Sequence, residues 1–208
     1  MPGTKESTST ARRIEIVEIA TSLFLENGFA GTSMSAVANA CGVTKASLYH
    51  HFPGKDDLFA ACITRGYASA LDDLEALVET SELKPIEKLE RAISTLYDSI
   101  VASPVGRMSP LIAEVSRTFP SVAQAFHQDY LIPQQALLGR ILDEGTDTGQ
   151  LRHLDREVFF HIVFGPIVTL SLSREMFATF DDLDEHFPVE RLKEGHSELI
   201  ATWLRGVE

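Results

Sequence analysis

Between Cys41 and Phe59 the chain reads CGVTKASLYHHFPGKDDLF. Ahead of its proline, Thr44, Lys45, Ser47, Tyr49, His50 and His51 supply two short hydroxyls, a cation, an aromatic hydroxyl and two imidazoles, without a carboxylate among them. Lysine and hydroxyl donors hold phosphate oxygens, and small side chains such as Ala46 let a helix sink towards base edges in the major groove. Metal binding fits less well, because neighbours on a helix point about 100° apart and His50 and His51 do not close on one ion; no metal and no cofactor is expected. Cys41 and Cys62 lack a neighbouring cation to lower a thiol pKa, which predicts buried, reduced cysteines. The acidic run DDLDEH, Asp181–His186, lacks the glycine and terminal glutamate of a calcium loop and reads as a solvated interhelical loop.

To present that polar face, a short helix must be held against others. From Arg12 to Asn27, Ile16, Ala20, Leu23 and Phe24 fall on one face of a 3.6-residue period, and Gly28 stands where a left-handed cap ends a first helix. Thr32 and Ser33 offer hydroxyls to the free N–H groups of a second helix, which reaches about Ala40. Gly42 suits a turn needing positive φ, and a third helix runs from about Thr44 to Phe52, stopped by Pro53-Gly54. Ala38, Val37, Val43 and Leu48 close the angle between the second and third helices, the spacing of a helix-turn-helix.

Beyond Gly54, longer helices are predicted at about Asp56–Val78, Pro85–Ala102, Pro110–Arg117, Pro120–Thr146, Asp155–Phe180 and Pro188–Arg205. Pro133 and Pro166 fall inside two of them and should kink them. No stretch alternates at period two for long enough to make a strand, so the expected fold class is all-α. Residues 1–52 carry four Lys/Arg and four Asp/Glu, which leaves the whole net charge of -12 on residues 53–208. A neutral N-terminal segment on an acidic remainder meets a polyanion at one end only. Apolar runs are short of the roughly 20 residues of a membrane span, and a cytoplasmic protein without a membrane partner is expected.

Three elements resemble the tetracycline-repressor (TetR) family of bacterial transcriptional regulators: IVEIATSLFLENGF from Ile16, TSMSAVANACGVTKASLYHHF from Thr32, and K-x-x-L from Lys55. The resemblance implies phosphate contacts at Ser33, Tyr49, His51 and Lys55, and groove contacts at Thr44, Lys45, Ser47 and His50. Many members have glycine where this chain has Ala46, at the closest backbone approach to DNA. The polar, Ser/Thr-rich residues 1–11 read as a flexible arm, and the resemblance implies a DNA-binding domain over 12–54 and a helical ligand-binding and dimerisation domain over 55–208. The last two helices would pair with a second copy through Phe159, Phe160, Val163, Ile167, Leu170, Leu192, Leu199, Ile200 and Trp203. The partners so implied are pseudo-palindromic operator DNA, a small-molecule effector and a homodimer mate.

Polar residues among the apolar C-terminal helices admit two readings. Glu114, Arg117, His127, Asp129 and His161 could converge as a catalytic set, but no spacing among them is diagnostic. An effector pocket explains the same residues with fewer assumptions, with Tyr97, Met108, Arg117, Phe119, His127, Tyr130 and Phe164 as its candidate lining. The favoured expectation is a repressor released by a small molecule, with no catalytic residues.

Overall fold

No proline or glycine interrupts Thr4–Asn27, and a helix once nucleated extends at little cost per residue. In the computed structural model, which describes residues 3–205, α1 accordingly runs Gly3–Gly31. It begins well before Arg12, so that of the expected arm over 1–11 only Met1 and Pro2 lie outside the described residues. At Gly28 the backbone turns to φ 69°, ψ 174°, a region essentially reserved for glycine and more extended than the left-handed cap expected there. α2 (Met34–Ala40), α3 (Lys45–His51) and α4 (Lys55–Glu79) follow close to their predicted bounds.

Further on come α5 (Pro85–Ile100), a 3-10 turn at Pro104–Arg107, α6 (Met108–Ser116) and α7 (Pro120–Phe126). The single helix predicted over Pro120–Thr146 is instead interrupted by a π turn at His127–Leu131 before α8 (Ile132–Asp147). Pro133 is the physical reason: it has no N–H for the carbonyl four residues back, and its ring crowds that carbonyl, so the turn widens. α9 (Arg156–Met176) continues through Pro166, and α11 (Val189–Leu204) closes the chain. Between them the run expected as a loop forms α10 (Leu183–His186), with Asp184 and Glu185 in its first turn. The fold is all-α; among the described residues the only extended pairing is an isolated bridge between Leu151 and Arg205. By length and composition α9 is long and apolar enough to cross a membrane, contrary to the sequence expectation. Its Phe159, Val163, Ile167 and Leu170 are nevertheless buried within the chain's own bundle.

The chain divides into two compact units, one running to Gly66 and including Pro110–Asp129, the other comprising Tyr67–Ser109 and the residues from Tyr130 onward. The division follows packing, whereas the expected boundary at residue 54 follows sequence order. In the first unit an aromatic cluster fills the core: Phe24 and Phe29 each lie near Phe59, with ring centroids 5.0 and 5.2 Å away, and Phe119 lies 5.4 Å from Phe29. α4 gives this unit Leu58, Phe59, Cys62 and Ile63, all buried. In the second unit α5 is central, packing on α8, α9 and α11 with Leu89, Ala92, Ile93, Leu96 and Tyr97 buried.

His196 on α11 is buried in that second unit, its Nδ1 3.2 Å from the Tyr97 hydroxyl and its Nε2 3.1 Å from the Ile162 carbonyl. A neutral ring satisfies both contacts, with Nε2–H donating to Ile162 and Nδ1 accepting from Tyr97. Burial holds its pKa below the ordinary value of 6.5. The unfolded chain therefore takes up the proton first, and the stability this residue contributes, complete above the ordinary value, is lost as pH falls through the lowered folded value. Urea denaturation is expected to show a falling midpoint from about pH 7 to about pH 5, which His196→Gln should flatten.

Candidate nucleic-acid interface

The local chemistry of the sequence builds the helix-turn-helix. Ser33 Oγ accepts the Ala36 N–H (3.1 Å) as N-cap of α2, and Thr44 Oγ1 accepts the Ser47 N–H (3.1 Å) as N-cap of α3. A capping hydroxyl still keeps its own O–H as a donor. Gly42 takes φ 63°, and Val43 N–H donates to the Ala38 carbonyl (2.9 Å), closing the turn. Inside the angle Val37, Ala38 and Leu48 are buried. Outside it Thr44, Lys45, Ala46 and His50 are exposed, Tyr49 is 43% exposed, and Ser47 and His51 are half-buried. No Asp or Glu occurs anywhere from Ser33 to His51.

Thr32, expected as a cap for α2, faces the other way: its buried hydroxyl lies 3.0 and 2.9 Å from the Leu23 and Gly28 carbonyls at the end of α1. Three cations treat other helix ends in the same manner. Arg12 Nη2 donates to the Cys41 carbonyl (2.9 Å), the C-cap of α2. Arg13 Nη1 donates to the His51 carbonyl (2.8 Å) at the end of α3, its guanidinium 4.1 Å from the Phe52 ring centroid. Lys55 Nζ donates to the Phe29 and Thr32 carbonyls (2.7 and 3.0 Å) and sits 4.2 Å from the Phe29 ring centroid. Carbonyls at helix C-termini carry partial negative charge and lack helical partners, so a cation is well placed on each. Lys55, assigned to phosphate by resemblance, therefore has two of its three donors committed inside the unit. Sequence reasoning passed over Arg12 and Arg13; their one signal was two adjacent cations opening the first amphipathic helix.

Neither cysteine is poised for reaction. Burial pushes the Cys41 thiol up against the opposing pull of Arg12, and pushes Cys62, whose Sγ lies 3.5 Å from the Val17 carbonyl, up to about 12.

The candidate effector lining is divided between the two units. Arg117 and His127 are exposed, and Phe119 packs on Phe29, all in the first unit. Tyr97, Met108 and Tyr130 are buried and Phe164 half-buried in the second. The residues of the catalytic alternative are divided likewise: Glu114, Arg117, His127 and Asp129 are exposed on the first unit, and His161 is exposed on α9 in the second. Of the expected dimer residues, Phe159, Val163, Ile167, Leu170 and Ile200 are buried within the chain. Phe160 is half-buried. Leu192, Leu199 and Trp203 are exposed by 39%, 67% and 38%, on the same unit as exposed Val158, Val168 and Met176 of α9. α9 and α11 each carry apolar residues on two faces, and periodicity does not say which one turns inward.

Residues 16–62 match the family of bacterial regulatory proteins of the tetR type. Over 102 residues the chain is 34% identical to the HTH-type transcriptional repressor KstR2 of Rhodococcus jostii, covering 49% of this chain and 50% of that protein. It is 21% identical over 145 residues to the HTH-type transcriptional repressor DhaR of a Mycobacterium species, covering 69% and 71%. The match thus spans about half the length of the KstR2 relatives. Among solved structures, the transcriptional regulator FadR from Bacillus subtilis in complex with stearoyl-CoA superposes with a TM-score of 0.75 at 21% identity, over 92% of this chain and 99% of that one. AibR in complex with isovaleryl coenzyme A and operator DNA superposes at 0.62 and 21%, over 90% and 97%.

The cation geometry separates two kinds of variant. On a bound duplex, Lys45→Ala is expected to lower the slope of log affinity against log salt by about 1. Lys55→Met and Arg13→Gln should leave that slope unchanged while lowering the melting temperature, because their charges serve carbonyls. Titrations over a salt series check both; a reduced slope for Lys55→Met would return that residue to phosphate contact.

Proposed function

We infer that this chain, whose residues 16–62 make it a member of the tetR family of bacterial regulatory proteins, is a cytoplasmic transcriptional repressor. It binds a pseudo-palindromic operator as a homodimer and leaves it when a small molecule binds. The observation that carries the reading is the outer face of α3, exposed, rich in hydroxyl, imidazole and ammonium groups and free of carboxylates. Thr44, Lys45, Ser47 and His50 would face the groove, with Ala46 at the closest approach, and Ser33, Tyr49 and His51 would hold phosphates. Lys55 acts as a positioning residue. The charge of -12 on residues 53–208 keeps the remainder away from the duplex and aims the neutral end at it.

Dimerisation is supported by the apolar surface that α9 and α11 leave uncovered. Leu192, Gly195, Leu199 and Trp203 recur along one side of α11, and a groove of about 300 Å³ lined by Pro166, Leu170, Leu192 and Leu199 can take a partner's side chain. One seven-residue recognition helix covers too few base pairs for useful specificity, so two should lie one helical turn apart, roughly 34 to 36 Å. That KstR2 and DhaR are both named repressors supports repression, and the acyl-CoA complexes of similar structures support control by a small molecule.

Lys45→Ala and Tyr49→Ala are each expected to weaken operator binding at unchanged helical content and oligomeric state. Leu199→Asp and Trp203→Asp should convert the dimer to monomer in sedimentation and weaken operator binding with it. A Leu199→Asp, Trp203→Asp double variant that sediments as a dimer would refute this interface.

A further inference from the structure

The chain enters or leaves the second unit at three places, and Tyr67, Ser109 and Tyr130 are the residues of that unit at which it does so. These three side chains meet. The Tyr67 hydroxyl lies 3.1 Å from Ser109 Oγ, and the Tyr67 and Tyr130 ring centroids are 4.4 Å apart. The Tyr130 hydroxyl in turn engages the amide of Gln134, one turn further along. Tyr67 and Tyr130 are each 2% exposed and Gln134 is wholly buried. Yet Gln134 Oε1 has no hydrogen-bond partner. A buried polar atom without a partner is rare in a folded protein and calls for a reason. Tyr130 also belongs to the π turn at His127–Leu131, a geometry frequent at functional sites.

The charge around this cluster limits what could complete it. Lys88 is the buried cation of this unit among the described residues. Its ammonium is already committed, 2.8 Å from Glu144 Oε2 and 3.1 Å from the Val78 carbonyl. Both nitrogens of His196 are likewise engaged. Neither buried basic group of this unit is thus left to pair with an anion, and burying an unpaired charge is prohibitive.

We propose that Tyr67, Ser109, Tyr130 and Gln134 form the polar end of the effector site, and that it accepts an uncharged hydroxyl carried on an apolar body. This rests on the induction reading above. A hydroxyl both donates and accepts, so it satisfies the free end of the Gln134 amide and still exchanges a hydrogen bond with a tyrosine or serine hydroxyl. A ligand held there restrains α4, α6 and the π turn together, because each contributes one residue of the cluster. That restraint is the differential interaction a ligand needs in order to shift a conformational equilibrium.

Three probes of one shape and different charge test it: cyclohexanol, cyclohexanecarboxylate and cyclohexylammonium, each followed by thermal stabilisation of the full chain at millimolar concentration. Cyclohexanol is expected to stabilise the wild type and the charged probes are not. In Gln134→Leu, which removes the amide at similar volume, cyclohexanol binding should fall about three- to tenfold, the worth of one neutral hydrogen bond. Ser109→Ala, at a half-buried position, carries the same comparison if Gln134→Leu does not fold. Equal cyclohexanol binding by variant and wild type, equal stabilisation by a charged probe, or no stabilisation by cyclohexanol overturns the proposal. Operator titration of the ligand-free wild type reads the regulator assignment separately. Operator binding without cyclohexanol binding removes this proposal alone, and cyclohexanol binding through Gln134 without operator binding removes the regulator reading alone.

Discussion

The arrangement of the N-terminal unit depends on how its helix ends are satisfied. α2 and α3 are seven residues each, too short to be stable by themselves, and their C-terminal carbonyls would stand unpaired if other helices did not reach them. Arg12 and Arg13 on α1 close the ends of α2 and α3, and Lys55 on α4 closes the turn that follows α1. Each contact joins a cation to a carbonyl distant in sequence, so forming one helix end also fixes the approach of another. The orientation of the polar α3 face is in this sense set from behind, by charges engaged with backbone carbonyls.

A second constraint comes from helices that are apolar on more than one side. α9 turns Phe159, Val163, Ile167 and Leu170 into the bundle, and α11 does the same with Ile200, Ala201 and Leu204. What remains outside is a second apolar surface, from Val158 and Val168 to Leu199 and Trp203. Covering such a surface with its own copy is the cheapest symmetrical solution, since a two-fold axis makes each residue count twice. The same double-sided composition gives α9 the apolarity of a membrane span, although Phe159, Val163, Ile167 and Leu170 are core.

Buried polar groups in the second unit fall into two kinds. Lys88 and His196 have every geometrically demanding contact met, by Glu144 and Val78 in one case and by Tyr97 and Ile162 in the other. They specify how α5 meets α8 and α11, because a shifted register would strand a charge or an imidazole. Gln134 is the exception, with one amide end engaged and the other without a partner. Structure-bearing polar residues are closed, whereas a residue left open in a core is where a molecule from outside can be recognised.

Local chemistry made much of this legible in advance. The cap Ser33, the positive φ at Gly42, the stop at Pro53-Gly54 and the carboxylate-free face of α3 are decided within a few residues of sequence, and each stands as expected. The break in the helix expected over Pro120–Thr146 could be placed only near Pro133, because the backbone had several ways to relieve the clash and packing selected the π turn. Which apolar side of α9 and α11 faces inward was not legible, since period 3.6 marks both sides alike. The roles of Lys55, Arg12 and Arg13 were not legible either: a cation looks the same in sequence whether it meets a phosphate or a carbonyl, and only the fold brings Phe29, Cys41 and His51 within reach. The sequence by itself thus determined the helices and the polar face of α3, through interactions that span one turn. Tertiary structure alone decided which charges stay free and which apolar faces stay open, because those depend on partners far away along the chain.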